Sequence, residues 1–305
     1  MKFVLAGGTG FLGQPLVVAL AAHGHEVVVL TRGRAGQTPL GRTVTWNPDG
    51  TDTNWFKDVD GADVVINLAG AGVADGRWTA ERKEVLRQSR IVSTRALVAA
   101  VRAATRRPSA FIGGSAVGYY GSTGDAVVDE SSPAGSDFLG RLGVEWEAEA
   151  RAAESLGCRV VLIRTGIALD PSGGALKKLI PPFLMFAGGP IASGRQYMSW
   201  IHRDDWVRLV EWATTDATVS GPVNATAPNP VTNEEFSRAL GRALHRPSWL
   251  RVPRLALRIA LGEMADIALV NGQRVMPTRA LAGGFAFAYP TIETAMEAIL
   301  ASPRT

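Results

Sequence analysis

Phe3-Val4-Leu5-Ala6-Gly7-Gly8-Thr9-Gly10-Phe11-Leu12-Gly13 is the stretch whose reading decides the fold. Its first four residues are a short apolar run, and glycines then recur at 7, 10 and 13. A helical pattern begins at once, with Leu12, Leu16 and Leu20 on one face. Strand, glycines and helix in that order make a cradle for a diphosphate. Missing Cβ atoms permit a tight turn and close approach, and a helix start offers unpaired N–H groups with a partial positive charge. A G-x-x-G-x-x-G alone is a weak signal, and a glycine turn that only packs strand on helix is the alternative. The flanks favour the cradle.

Outward from this corner, short apolar runs alternate with helical patterns, as in parallel strands joined by crossover helices. Strands are predicted at 3–6, 26–30, 64–67, 110–112 and 159–163, rich in Val, Ile and Leu as a sheet covered on both faces requires. Helices are predicted at 11–23, 79–104 and 137–156. After about residue 165 a Gly- and Pro-rich tract, Asp170-Pro171-Ser172-Gly173-Gly174 through Gly188-Gly189-Pro190 and Gly194, reads as loops over a site. A helix at 204–214 and a strand at 222–224 return to the main sheet. Thr232-Asn233-Glu234-Glu235 then caps the first helix of an appended unit that runs to Leu300. The expected fold is α/β, a Rossmann-type doubly wound parallel sheet with a smaller C-terminal helical substrate lobe. Residues 1–168, with 204–226 returning, form the nucleotide-binding domain; 169–203 and 227–305 form the lobe.

Composition narrows the function classes. At 46% hydrophobic and 20% charged, the 305 residues can bury a large core, which excludes bulk disorder. A net charge of +4 without a basic block gives no nucleic-acid surface, and no apolar run reaches the ~18 residues of a membrane span. The glycines at 7 and 8 interrupt the N-terminal apolar run before it is long enough for a signal peptide. One cysteine, Cys158, and four histidines supply neither an intrachain disulfide nor a thiolate zinc cluster, so a reducing, cytoplasmic setting is expected. A small-molecule substrate is the expected partner; the sequence sets no oligomeric state.

The end of the second strand selects the dinucleotide. An acidic side chain there would accept from the ribose 2′-OH of NAD. Leu30-Thr31-Arg32-Gly33-Arg34 instead offers a hydroxyl and two guanidiniums, which suit a 2′-phosphate, so NADP is expected. Solvated loop arginines are the alternative. The cofactor set read from the corner is Gly7, Thr9, Gly10, Phe11, Leu12 and Gly13 with Thr31 and Arg32.

With Asn67-Leu68-Ala69-Gly70 and Gly114-Ser115-Ala116-Val117-Gly118-Tyr119-Tyr120-Gly121, the chain resembles an extended short-chain dehydrogenase/reductase over nearly its whole length. More narrowly it resembles the atypical NAD-dependent epimerase/dehydratase-like subgroup, the SDR39U1-like or YfcH-like epimerase family. The shared landmarks include Arg77-Trp78, Ser89-Arg90, Trp146-Glu147, Arg164-Thr165-Gly166, Ser199-Trp200-Ile201-His202 and Gly283-Gly284-Phe285. The resemblance implies that Arg90 reaches the cofactor and that Leu68, Ala69 and Ile167 line its ribose and nicotinamide through backbone groups.

The usual catalysts of the wider family are a Ser and a Tyr-x-x-x-Lys pair, the lysine lowering the tyrosine pKa. Four residues beyond the four tyrosines stand Thr123, Gly124, Ile201 and Glu293, so no such pair exists here. The subgroup is itself described as lacking the usual active-site residues. Ser115 follows a strand at the edge where such folds place chemistry; it either holds a substrate or bonds its own turn. Tyr119 and Tyr120 are substitute acids or packing residues. Arg195, Gln196, Trp200 and His202 are candidates for the substrate side, or braces of the C-terminal unit against the core. His202 beside Asp204 and Asp205 falls short of the ligands a metal needs, so no metal is expected and the aspartates are read as helix caps. The function so read is an NADP(H)-dependent oxidoreductase or epimerase acting on a carbonyl or hydroxyl of a small molecule. The alternative is a non-catalytic NADP-binding sensor or regulatory protein.

Overall fold

The computed structural model describes residues 1–38 and 41–301. Strands β1 (Lys2–Ala6), β2 (Glu26–Thr31), β3 (Gly36–Thr38), β4 (Gly41–Thr45), β5 (Val64–Asn67) and β6 (Ala110–Ala116) join Arg159–Thr165 and Gly221–Ala225 in one eight-stranded sheet. From edge to edge the order is Gly221–Ala225, Arg159–Thr165, β6, β5, β1, β2, β4, β3. All neighbours are parallel except the β3–β4 pair.

Both faces of the sheet are covered, which is why its strands read as unbroken apolar runs. Phe3 and Leu5 face a layer with Leu16 and Leu20 of α1 (Gly13–Ala22) and with Trp206 and Val210 of helix Arg203–Thr215. Val4 and Ala6 face the opposite layer. There Trp55 precedes α2 (Phe56–Val59), and Leu97 and Val101 belong to α3 (Ala80–Ala103). The period-two side-chain alternation of a strand thus feeds two cores at once. Helix α4 (Phe138–Arg151) packs beside α3. A third apolar cluster, with Leu176, Phe183, Trp200, Phe236 and Met296, lies outside the sheet and holds helices Gly174–Leu184, Asn233–Leu244 and Ile292–Ala301 together.

Register places the ends that matter. Ala6 pairs with Leu30 on one side and Asn67 on the other, and Asn67 pairs with Gly113. Gly7, Thr31 and Leu68 therefore leave the sheet at one level along its carboxyl edge. β6 and Arg159–Thr165 run to Ala116 and Thr165, four and two residues beyond the reading from sequence. The antiparallel β3–β4 pair was not expected; β3 is the exposed edge strand and the half-buried Arg42-Thr43-Val44 of β4 beside it lacks an apolar run, because the sheet's margin needs less burial. The predicted helix 137–156 instead ends at Arg151 and is followed by a 3₁₀ turn, Glu154–Leu156, with Gly157 at φ 89°. Within the tract read as loops, Gly174–Leu184 is helical despite Pro181 and Pro182, because Leu176, Ile180 and Phe183 anchor one face. Among the described residues, no helix is long and apolar enough to cross a membrane.

Candidate functional site

The glycine corner is built by close approach. Gly7 sits at φ 85°, and a Cβ there would stand 2.7 Å from the Leu68 carbonyl carbon, so the β1 and β5 exits touch backbone to backbone. A Cβ on Gly13 would stand 2.1 Å from Gly7 O, so only glycine lets α1 start against the strand end. The turn closes through Gly10 N–H to Gly7 O at 3.0 Å and Gln14 N–H to Gly10 O at 2.9 Å. No side chain caps α1 and no acid lies in its first turn, while Thr9 and Gly10 are exposed. Uncapped N–H groups at an exposed helix start are what a diphosphate requires, so the residues present fit a dinucleotide. Phe11 and Leu12 are half-buried, and Phe11 leans across to the substrate side. A Cβ on Gly173 would meet its ring at 2.3 Å.

Beside the corner, Thr31 Oγ1 accepts the Gly33 N–H at 3.1 Å, and Thr45 Oγ1 donates to Gly33 O at 2.9 Å. This pins the turn that presents Arg32 and Arg34. Both are exposed and make no hydrogen bond or ion pair with another described residue. On the other side, Leu68 N–H bonds Ala6 O at 2.8 Å and Ala69 N–H bonds Asn67 Oδ1 at 3.1 Å. Asn67 Nδ2 donates to Thr94 Oγ1, which also receives Trp146 Nε1. Arg90 lies buried under Gly70, giving an N–H to Leu86 O at 2.9 Å. Ile167 N–H bonds Ser199 O at 2.8 Å, placing it at the carboxyl end of Arg159–Thr165.

Ser115 and Tyr120 differ from expectation because both are spent on a buried polar network. Ser115 lies inside β6, not in a turn, and its Oγ donates to Glu147 Oε1 at 2.7 Å. Glu147 in turn accepts a two-pronged bond from Arg164, Nε to Oε1 at 2.8 Å and Nη2 to Oε2 at 2.9 Å. Arg164 Nη1 reaches Tyr120 Oη at 2.9 Å, and Tyr120 donates to Asn224 Oδ1 at 2.7 Å. Glu130 Oε1 takes the Asn224 N–H at 2.9 Å. Burial pushes the Tyr120 phenol up to about 12 against the pull of Arg164, so it keeps its proton at neutral pH. Burial also raises the Glu130 carboxyl. Tyr119 is different: it is half-buried, its ring lies 3.5 Å from Arg164 Cζ, and its hydroxyl has no partner among the described residues. Its ring occupies the space opened by Gly143, where a Cβ would stand 3.2 Å from Tyr119 Cδ2.

The substrate-side candidates do not form one site. Trp200 is wholly buried in the third apolar cluster, with Nε1 bonded to Asn229 O at 3.1 Å. It is a core residue. Gln196 Nε2 bonds Ile191 O at 3.0 Å and its backbone carbonyl takes the Asn233 N–H, so it braces the 191–196 turn on the start of helix Asn233–Leu244. Arg195 is exposed and lines a cavity of about 320 Å³ with Glu234 and Arg238.

His202, not an aspartate, caps helix Arg203–Thr215: its Nδ1 accepts the Asp204 N–H at 3.1 Å. Its ring stacks on Tyr289 at 3.8 Å, and Asp205, fully buried, accepts the N–H groups of Ala288 and Tyr289. Burial lowers the His202 pKa, overcoming the nearby Asp204, Asp205 and Asp170; Arg203 adds to the lowering. The fold therefore favours the neutral ring, a contribution present above the unfolded value near ~6.5 and lost as pH falls through the depressed folded value. Thermal melts from pH 7.5 to pH 5 should show a falling Tm, and His202→Asn, which retains a cap acceptor, should flatten that slope. Equal slopes in both proteins would remove His202 as its origin.

Asn67, Thr94, Glu130, Arg164 and Asn224 are the polar residues around the site that sequence reading left without a role. Their signal was chemical: charged or amide side chains inside or beside strongly apolar runs need partners. No group of His, Cys, Asp and Glu among the described residues is arranged to hold a metal ion.

The class this geometry defines is a nucleotide-binding protein of the epimerase type. The family model for the NAD dependent epimerase/dehydratase family matches residues 3–225, and the chain belongs to that family. A second model, for a domain of unknown function (DUF1731), matches residues 252–299. The chain is 44% identical over 294 residues to the epimerase family protein MT2273 of Mycobacterium tuberculosis, covering 96% of this chain and 95% of that one. It is 42% identical to the chloroplastic SDR39U1 homologue of Arabidopsis thaliana, covering 98% of this chain and 87% of that one. The crystal structure of human epimerase family protein SDR39U1 with NADPH is similar to it at a TM-score of 0.88 and 32% identity, over 99% of this chain and 100% of that one.

Proposed function

We propose that the chain binds NADP(H) along the carboxyl edge of its sheet and acts as an oxidoreductase or epimerase on a carbonyl or hydroxyl of a small molecule. The observation that carries this is the glycine corner, with its uncapped helix start and two unpartnered arginines beside it. The NADPH in the human relative's crystal structure supports the choice of coenzyme. First-turn N–H groups of α1 hold the diphosphate, Arg32 and Arg34 the 2′-phosphate, and the backbone at Leu68, Ala69 and Ile167 the ribose and nicotinamide end. Bound there, the nicotinamide supplies a hydride donor or acceptor. Tyr119 Oη holds the proton that a carbonyl oxygen needs, because the Ser115 hydroxyl already donates its hydrogen bond to Glu147. Residues 169–203 and 227–305 serve as the substrate lobe. The buried cysteine, Cys158, supports a cytoplasmic setting.

A second reading, a non-catalytic NADP-binding sensor, is favoured by the commitment of Ser115 and Tyr120 to internal bonds. Titration with NADPH and NADH, followed by a carbonyl panel monitored by NADPH absorbance, separates them. Turnover reduced at least tenfold by Tyr119→Phe, with NADPH affinity unchanged, is expected of the enzyme. Tight NADPH binding with no turnover across the panel points to the sensor. Failure to bind NADPH ends both readings.

A further inference from the structure

Helix Asn233–Leu244 ends beside a cavity of about 550 Å³ lined by Arg238, Gly241, Arg242, His245, Arg246 and Ser248. No carboxylate is part of that lining. Arg242 pairs with Glu293 at 3.0 Å. Arg238, whose charge acts on Glu235, makes no hydrogen bond or ion pair with another described residue. His245, at φ 53°, stops the helix: its N–H bonds Arg242 O at 3.0 Å, and the Arg246 N–H bonds Gly241 O at 2.8 Å. The chain then doubles back so tightly that a Cβ on Gly241 would stand 2.8 Å from Arg246 O and 3.1 Å from Ser248 Cβ. Two polar atoms of the lining, Arg246 Nε and Ser248 Oγ, are buried in this fold-back with no hydrogen-bond partner. Cations at a helix C-terminus complement its dipole, and Arg246 Nη1 also donates to His245 O at 3.0 Å. Neither role satisfies the two orphaned atoms. Their burial costs free energy that an acceptor seated in the cavity recovers.

We propose that this cavity is a phosphate-binding site. Guanidiniums bond phosphate oxygens through charge-assisted N–H groups, and a tetrahedral anion accepts from three arginines and a hydroxyl at once. The site goes beyond the coenzyme reading and does not rest on it. The glycine corner belongs to β1 and α1, whereas this cavity lies in the lobe built on the third apolar cluster. Its rim says what carries the phosphate. The Phe186 ring lies 4.8 Å from Arg246 Cζ, and Leu250 N–H bonds Gly188 O at 3.2 Å, so the two segments meet beside the cavity. Met185, Phe186, Trp249 and Leu250 are all exposed there. From 246 to 262 the chain holds Arg246, Arg251, Arg254 and Arg258 and no acid, so this flank suits an anionic surface. Exposed apolar side chains around a basic cavity fit a phosphate borne by a lipid headgroup better than a free ion.

The full chain is titrated calorimetrically with inorganic phosphate, and sedimented with vesicles of phosphatidylcholine alone or mixed in equal parts with phosphatidic acid. Saturating NADPH is present, so that phosphate at the glycine corner is displaced. Wild-type protein is expected to bind the phosphatidic acid vesicles and not phosphatidylcholine alone. Arg246→Gln should weaken binding about tenfold and Ser248→Ala about threefold, with NADPH affinity unchanged. Arg102→Gln, which removes one charge from α3 outside the cavity, should have no effect. Trp249→Ala should weaken the vesicles and leave inorganic phosphate as it was. A thermal melt of each variant verifies folding, and Ser248→Ala, which removes one oxygen, carries the test if Arg246→Gln does not fold. Vesicle binding that phosphate displaces identifies a lipid headgroup. Phosphate bound without vesicles identifies a free phosphate or soluble ester. Binding of neither, unchanged binding in both cavity variants, or an equal loss in Arg102→Gln overturns the site. If phosphate or vesicles bind and NADPH does not, the site stands and the coenzyme reading falls.

Discussion

Glu147→Ala will lower the melting temperature by roughly 10 °C. Glu147 and Arg164 are almost completely buried, and removal of the carboxylate strands a guanidinium inside the protein while freeing the Ser115 hydroxyl. Breaking a buried pair from one side costs about 3–5 kcal/mol, and a chain of this size loses about 2–4 °C per kcal/mol. Burial works to depress Arg164, but its bonds to Glu147 and Tyr120 prevail and hold it above its ordinary value; removal of Glu147 takes away the largest of those raising contributions and leaves the burial cost without a carboxylate to offset it. Glu147→Gln retains one acceptor and should cost less. A thermal melt at pH 7 measures both, and a shift under 2 °C for Glu147→Ala would show that water or a neighbouring group replaces the carboxylate. Folded Glu147→Ala protein should still bind NADPH, because none of these atoms belongs to the glycine corner.

Arg32→Ala should weaken NADPH by about 10- to 100-fold and leave NADH within threefold, because a charge-assisted bond to one phosphate is lost and no other described residue uses this side chain. Its turn is held by Thr31 and Thr45 rather than by the arginine, so the fold is not at risk. Comparison of the two dissociation constants at one ionic strength is the measurement. Equal losses for both coenzymes would assign Arg32 to the adenosine or diphosphate, and no loss would leave selection to Arg34.

The inner strands of the sheet were legible because they are buried on both faces, as in the run Val64-Val65-Ile66. The glycine corner was legible because Gly7 and Gly13 answer to backbone clashes that no other residue avoids. The β3–β4 edge, half-exposed and polar, carries no such signature. Around the candidate site, sequence named Ser115, Tyr120, Trp200 and His202 but not their partners, since Glu147 is 32 residues from Ser115 and Asn224 is 104 from Tyr120. A hydroxyl's direction is a tertiary fact, and here it decides whether the group faces a substrate or an ion pair. Arg82 is half-buried on α3. Only the folded loop shows that its Nε lacks an acceptor.

Phe11 belongs to the nucleotide corner, yet its ring rests on Gly173 and Gly174, at the start of the helix that opens the other lobe. The strap is therefore tethered to the floor it spans, and its clearance is set by the absence of two methyl groups. A side chain at either glycine would push the ring and the helix start apart.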